Sequence, residues 1–329
     1  MEKFLKFMVL GGAGFIGSHL VDKLLARNLG SVYVVDNFSH GERRRLKDVL
    51  DKIVIFSGDV TDPIWLKRTI LSYKPDVIFN LAAKVTGIAY NTKNNYDMAF
   101  QNVMCGLIPL QSVLSTKSFH EVKRFINVST SCIYPHDVSV PTKEVEGERF
   151  DPEPTNRGYG LGKRFVEELA KFAYLETGLS LSSVRPINAA GPRDHYDEKV
   201  SHVIPALIRR FLSGEDPVVV WGSGKQMRSF LDPRDFAEGL LAIYEYGKGG
   251  ETYNLGHSEQ ISIGDLAKLI QEMTESKAKI VFDPTKPDGY PQRGLDCSKL
   301  ESISGWKPKI SLKETLTDMI LEFKSGDVS

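Results

Sequence analysis

An α/β fold built on a doubly wound parallel sheet, with a smaller α/β domain attached, is predicted by three features of the chain. A glycine-rich turn, Gly11-Gly12-Ala13-Gly14-Phe15-Ile16-Gly17, separates a short apolar run from a run with helical spacing. Short apolar segments then alternate with helical ones through the first half of the chain. After Pro186 that alternation fades. Strands that alternate with helices need crossovers, and crossovers favour parallel strands with helices on both faces.

The first apolar run, residues 4–10, reads as a strand, and 18–26 as a helix whose Leu20, Leu24 and Leu25 cluster around Val21. Residues 32–36 (VYVVD) make the next strand and close a right-handed βαβ unit. Arg43, Arg44 and Arg45 are expected to begin a solvated helix. Further strands are expected at 53–56, 76–81, 124–129 and 181–184. Beyond them, 200–212 and 234–246 read as helices and 217–221 as a strand. Ser262 with Asp265 reads as an N-cap with an acidic third position, and 283–296, rich in Pro, Gly and charge, as a long loop. Residues 1–186, rejoined by 226–255, are expected to form the nucleotide-binding domain. The smaller domain takes 187–225 and 256–329.

Lys plus Arg and Asp plus Glu number 42 each, so no global field attracts nucleic acid or an anionic membrane. The three cysteines, Cys105, Cys132 and Cys297, are widely spaced and form no metal-ligand pattern with histidine. They are expected to be free thiols in a reducing cytoplasm, with no metal site. The apolar run near the N-terminus is too short for a signal-peptide core. No segment approaches the roughly 18 apolar residues of a membrane span.

Gly11, Gly14 and Gly17 between strand and helix let backbone N–H groups approach a pyrophosphate, and Asp36 ends the second strand nineteen residues after Gly17. A carboxylate there accepts both ribose hydroxyls of NAD and repels the 2′-phosphate of NADP, so NAD is favoured and NADP remains possible. Asp59 reads equally as an adenine contact and as a turn residue. Ala82 and Ala83 are small enough to let a cofactor pass. Tyr159 and Lys163 share a helix face, and the cation is expected to lower the phenol's pKa. Thr130 and Cys132 set a hydroxyl that can polarise a ketone two residues from a thiol that can take a proton from the adjoining carbon.

The blocks GGAGFIG (11–17), LAAKVTGI (81–88), STSCIYP (129–135), EPTNRGYGLGK (153–163), SHVIPALIRRF (201–211), VVVWGSGKQMRSFL (218–231) and KPDGYPQRGLD (286–296) span nearly the whole chain. Together they resemble the extended short-chain dehydrogenase/reductase family, which has a Rossmann-type fold, and within it the GDP-L-fucose synthase subfamily of epimerase-reductases. The resemblance implies a hydride-transfer triad of Thr130, Tyr159 and Lys163, with threonine where serine is usual. It makes Cys132 the base and His202 the acid for epimerisation beside a C4 ketone. Around the cofactor it sets Gly11, Gly14, Phe15, Ile16 and Gly17, then Asp36, Asn37, Asp59 and Val60, then Leu81, Ala82, Ala83 and Lys84, with Tyr159, Lys163 and Pro186. Asn188, Val203, Arg210, Trp221, Arg228 and Arg293 would face a GDP-sugar. A homodimer through helices around 100–116 and 160–176 is also implied.

Two departures stand out. The subfamily is expected to use NADPH, whereas Asp36 belongs to an NAD binder, and Pro291-Gln292-Arg293 replaces a pattern of Arg then Lys. Two alternatives are a redox-neutral epimerase with tightly bound NAD and a non-catalytic NAD-binding scaffold. Against the scaffold stands the intact set of Thr130, Cys132, Tyr159, Lys163 and His202.

Overall fold

In the computed structural model, which describes residues 4–149, 152, 154–197, 201–286 and 289–326, the glycine turn joins strand β1 (Leu5–Leu10) to helix α1 (Phe15–Ala26). Strands β2 (Gly30–Asp36), β3 (Ile53–Ser57), β4 (Val77–Asn80), β5 (Arg124–Val128) and β6 (Leu181–Pro186) follow. They lie parallel in a seven-stranded sheet ordered Thr252–Leu255, β6, β5, β4, β1, β2, β3. The strand order reverses between β1 and β4. Ligands of open α/β sheets bind beyond the carboxyl ends of the strands at such a switch point.

Because both faces of the sheet are covered, strands appear as continuous apolar runs and their two sets of side chains enter different cores. On β1, Phe7 and Val9 join a core with Leu20 and Leu24 of α1 and with Leu240 and Leu241 of the helix Pro233–Tyr246. Met8 and Leu10 point the other way, toward Leu66 and Ile70 of helix α2 (Pro63–Tyr73), Leu110 of Asn95–Thr116 and Ala170 of Arg157–Thr177. Each fully buried Leu or Phe contributes about 1.5–3 kcal/mol, so these two faces supply the framework that fixes the strand ends.

A separate cluster gathers Ile204, Leu207, Ile208, Leu266, Ile270, Leu316 and Met319. It packs the helices Val203–Leu212, Ile263–Met273 and Leu312–Ser325 beside the parallel strand pair Val218–Trp221 and Ile280–Asp283. The Ser262 cap is present, with its hydroxyl accepting from the Asp265 N–H at 3.0 Å. The segment that returns to the large sheet does so twice. Helix Pro233–Tyr246 lies on α1, where Glu238 and Glu245 pair with Lys23 and Arg27, and Thr252–Leu255 pairs with β6.

Some expectations change. Arg43–Val49 is a 3-10 turn, and Arg45 is buried within it, against the expected solvated helix. Its guanidinium pairs with Glu42, donates to the His40 carbonyl and lies 3.3 Å from the His195 ring, which together offset the cost of burying the charge. The helix expected from residue 200 begins at Val203, and Val200, like Pro287 and Asp288 of the expected loop, lies outside the described residues. Two short pairings, Asn188–Ala189 with Phe230–Leu231 and Ile261–Ser262 with Met227–Arg228, are two residues long, too short for any periodicity to mark them. Among the described residues no helix is long and apolar enough to cross a membrane, and no cluster of His, Cys, Asp and Glu suits a metal ion.

Candidate active site

At the switch point the glycine turn passes under the β4 end so closely that side chains are excluded. A Cβ on Gly11, whose φ is +78°, would stand 3.0 Å from the Ala82 nitrogen, and one on Gly17 would stand 2.1 Å from the Gly11 carbonyl oxygen. Helix α1 opens at Gly14 with no side-chain cap and no acidic residue in its first turn. Its N–H groups and dipole therefore face outward as a site for an anion. Asp36 is buried at the end of β2 and accepts from the N–H groups of Ala13 at 3.0 Å and Phe38 at 2.9 Å, one on each oxygen. Each oxygen keeps lone-pair capacity for a hydroxyl. Burial raises its pKa, opposed by those two bonds and by Arg45. This cradle fits a dinucleotide.

A Gly17→Ala substitution is expected to cost about 1–3 kcal/mol through overpacking, although alanine is the better helix former. Dinucleotide affinity should fall at least tenfold by fluorescence titration, with a lower thermal midpoint. Unchanged affinity would remove the close approach as an explanation for the glycine.

The other expected cofactor residues divide. Asn37 donates to Asp59 at 3.0 Å, and Asp59 also accepts from the N–H and hydroxyl of Thr61, so Asp59 is a turn residue that retains an exposed edge. Val60 is buried in the sheet core, and Ile16 packs at its margin on the other face, while the Phe15 ring meets His19 edge-on. Leu81 donates its N–H to the Leu10 carbonyl, with Ala82 and Ala83 following at the β4 end. Lys84 is paired with Asp97. Pro186 ends β6 opposite Leu255.

The β5 end brings several reactive side chains together. Thr130 caps a short turn, its Oγ1 accepting the Cys132 N–H at 3.1 Å. The helix Arg157–Thr177 brings Tyr159 alongside, and the phenol is hydrogen-bonded to Thr130. What permits this approach is the glycine ladder Gly158, Gly160 and Gly162. Cβ atoms there would meet the Asn95 carbonyl oxygen at 2.1 Å, that of Cys132 at 2.5 Å and that of Ala99 at 2.7 Å. One turn on, the buried Lys163 donates to the Val128 carbonyl at 2.9 Å.

The expected lowering of the phenol pKa by Lys163 is not what the structure gives. Burial pushes the Tyr159 phenol up, Cys132 adds to the rise, and the Thr130 hydrogen bond only partly opposes it. Lys163 is instead turned to a backbone carbonyl, and burial lowers its own pKa to about 8, against the pull of Cys105 and Glu167. Tyr159 is thus held as a neutral phenol, a proton donor.

His202 stands at the N-cap of Val203–Leu212 with its imidazole half exposed, and its Nδ1 lies 3.7 Å from the fully buried Asp194 carboxylate. Desolvation works against its protonation, but the hydrogen bond and charge of Asp194 outweigh that and raise its pKa. The contacts found for His202 are with this Asp194 and His195 cluster rather than with Cys132 or Tyr159. Sequence reasoning missed Asp194. It sits eight residues before His202 with no helical or strand spacing to link them.

Of the residues expected to face a sugar nucleotide, Arg293 reaches Cys132, its Nη1 lying 3.4 Å from the sulfur. Trp221 ends its strand exposed, with Lys286 over its ring at 5.5 Å. Arg210 is bound to Glu215 and to the Val219 carbonyl, and Arg228 to the carbonyls of Met227 and Tyr290, so both guanidinium groups already hold their own chain. Asn188 lies near the Ser229 carbonyl at 3.5 Å, and Val203 opens its helix.

With a dinucleotide cradle at the switch point and a Thr, Tyr, Lys set at the β5 end, the chain belongs to the NAD dependent epimerase/dehydratase family, whose pattern matches residues 7–256. It is an NAD(P)-dependent enzyme of that family. It is 32% identical over 320 residues to GDP-L-fucose synthase 1 of Arabidopsis thaliana, covering 96% of this chain and 92% of that protein. It is also 32% identical over 328 residues to UDP-glucuronic acid decarboxylase 1 of the same plant, covering 98% of this chain and 71% of that protein. Among solved structures, UDP-glucose 4-epimerase of Thermotoga maritima with UDP-glucose superposes with a TM-score of 0.87 at 30% identity, covering 98% of this chain and 99% of that one.

Proposed function

We propose that the chain is a nucleotide-sugar epimerase/reductase acting on a GDP-4-keto-hexose, inverting C3 and C5 and reducing C4, as its relatives named GDP-L-fucose synthase suggest. The observation that carries the reading is the meeting of a hydroxyl, a phenol and a thiol at the end of β5, with Lys163 one helical turn from the phenol. When bound, NAD(P)H supplies the hydride to C4. Gly11, Gly14, Phe15, Ile16 and Gly17 hold its pyrophosphate and Asp36 its ribose. Asn37, Asp59, Leu81, Ala82, Ala83, Lys84 and Pro186 would line its path, with Val60 packed in the core behind Asp59, and Lys163 would hold the nicotinamide ribose.

Thr130 and Tyr159 donate to the ketone oxygen and stabilise the enolate formed when Cys132 Sγ removes a proton from C3 or C5. His202 returns a proton on the opposite face, and both groups exchange their protons with solvent between steps. The Tyr159 phenol then gives its proton to the C4 oxygen. Residues 1–186 with 226–255 serve the cofactor. Residues 187–225 and 256–329 serve the sugar nucleotide through Asn188, Val203, Trp221 and Arg293, with Arg210 and Arg228 bracing the chain that carries them. A homodimer in the cytoplasm completes the proposal. The packed helices Asn95–Thr116 and Arg157–Thr177 leave Tyr96, Phe100, Phe165 and Phe172 exposed, an apolar patch of the kind that marks an interface.

The buried Asp36 carboxylate favours a second reading, a redox-neutral epimerase that keeps NAD bound. Incubation with GDP-4-keto-6-deoxy-D-mannose in deuterium oxide, with NADH or NADPH, separates the two. The first reading expects deuterium at C3 and C5 by NMR and coenzyme-dependent product. Cys132→Ser should lose exchange by at least about a hundredfold and still reduce the unepimerised ketone. Turnover of GDP-mannose without added coenzyme would favour the cycle, and dinucleotide binding without turnover a scaffold.

The acid role of His202 carries a pH signature. A step that needs its imidazolium is complete below its raised pKa and is lost as pH rises through it. Asp194→Asn removes the carboxylate charge and leaves the desolvation, so the falling limb of kcat should move to lower pH. A limb that stays in place would detach Asp194 from the reaction.

A further inference from the structure

The loop that carries Arg293 is anchored on both sides of that residue. Met227 donates its N–H to the Pro291 carbonyl at 2.8 Å and accepts from the Arg293 N–H at 3.2 Å. Thr142 donates to the Gly294 carbonyl and accepts from the Asp296 N–H, each at 2.9 Å. Two isolated parallel bridges, Met227 with Gln292 and Thr142 with Leu295, are the result, and Leu295 is buried in the main core. A Cβ on Gly294 would stand 2.2 Å from the Gln260 side chain, so the backbone lies close against its neighbour. The Arg293 main chain therefore has little freedom, and its side chain leaves a fixed point.

From there the guanidinium crosses 161 positions of sequence to reach Cys132, with Nη1 at 3.4 Å from Sγ and its carbon 5.1 Å from the centre of the Tyr290 ring. The contact joins a cation to the sulfur that must carry negative charge once its proton has left. Guanidinium is planar and spreads its charge over several donors, whereas an ammonium is a single point charge. Cys132 is partly buried at the turn capped by Thr130, where water screens such a pair less than at an open surface.

We infer that Arg293 is the electrostatic partner of Cys132, its guanidinium set against Sγ before any sugar is bound so that it meets the charge the sulfur gains when its proton leaves. This rests on the reading of Cys132 as the base, and it assigns Arg293 a task in the resting protein besides any contact with substrate. A thiolate formed at Cys132 then has its counter-charge already built into the protein.

Alkylation of the substrate-free protein by iodoacetamide at pH 7.5, resolved by site with mass spectrometry, tests this without any turnover. The thiolate is the reacting form, and loss of a cation at this range changes its population by about tenfold or more. Arg293→Met should slow alkylation of Cys132 by about tenfold, and Arg293→Lys should stay within about threefold of the natural chain, because it keeps the charge. Cys105 and Cys297, whose pKa values burial raises, the latter to about 12, serve as internal references that neither change should alter. An unchanged Cys132 rate in Arg293→Met overturns the inference. Equal slowing in both variants also overturns it, since loop shape rather than charge would then control the sulfur. If alkylation behaves as expected while Cys132→Ser keeps C3 and C5 exchange, the base role fails and the charge pairing stands.

Discussion

Replacing Tyr159 with phenylalanine is expected to lower C4 reduction by about a thousandfold while dinucleotide affinity stays within about twofold and part of the exchange at C3 and C5 survives. The reason lies in the division of donors. Tyr159 has its phenol pKa pushed up by burial and by Cys132, so it is a protonated donor across the working pH range. Phenylalanine keeps the ring and removes only that proton. In the proposed mechanism Thr130 would still hydrogen-bond the ketone and so preserve part of the enolate stabilisation. Single-turnover reduction followed at the coenzyme absorbance, beside deuterium exchange by NMR, reads the two steps separately. Equal loss of both would show that the phenol acts on the whole site rather than on the C4 proton.

The second large effect concerns stability. Arg185 of β6 is buried and forks onto Glu167, with Nη2 at 2.7 Å from Oε2 and Nε at 3.1 Å from Oε1. Its remaining nitrogen donates to the Glu144 carbonyl at 2.6 Å and to the Tyr134 hydroxyl, which in turn donates to Asn254. Arg185→Met leaves Glu167 buried with only the more distant Arg164 at 3.6 Å, and is expected to cost about 3–5 kcal/mol. Urea unfolding should show it as a lower midpoint. The pair Arg185→Met with Glu167→Leu should cost less than the first change alone, because no uncompensated charge remains. A single change costing under about 1 kcal/mol would mean that water already reaches the pair. Glu167 lies one turn beyond Lys163 on the same helix, so the pair also anchors the helix that carries Tyr159.

Local rules account for much of the fold and part of the site. The glycine turn, Asp36 at the end of β2, and Tyr159 with Lys163 on one helix face follow from spacings of a few residues, and the structure keeps those arrangements. Contacts made across the chain had no such spacing. Arg45 looked solvated because its neighbours are charged, yet its partners are Glu42, the His40 carbonyl and the His195 ring, the last 150 positions away. Asp194 and the sulfur contact of Arg293 likewise depend on loops whose course only the packed molecule defines. The phenol of Tyr159 was misjudged for a related reason: spacing reveals a nearby cation, whereas desolvation depends on everything packed around the group. Gly160, between Tyr159 and Lys163, lets that helix rest on the Cys132 carbonyl, a contact no local spacing marks.

The place of Thr252–Leu255 in the sheet also bears on the order in which the chain can fold during synthesis. Strand β6 has β5 on one side and receives its other neighbour from nearly seventy positions later. The face of the sheet beneath α1 waits for Leu240, Leu241, Tyr253 and Leu300. A nascent chain that has emerged only through β6 therefore carries an unpaired strand edge and an uncovered apolar face, the combination that invites association with other chains. Closing that edge is a late event tied to translation, and chaperone demand should peak in the interval between the emergence of β6 and that of Leu255.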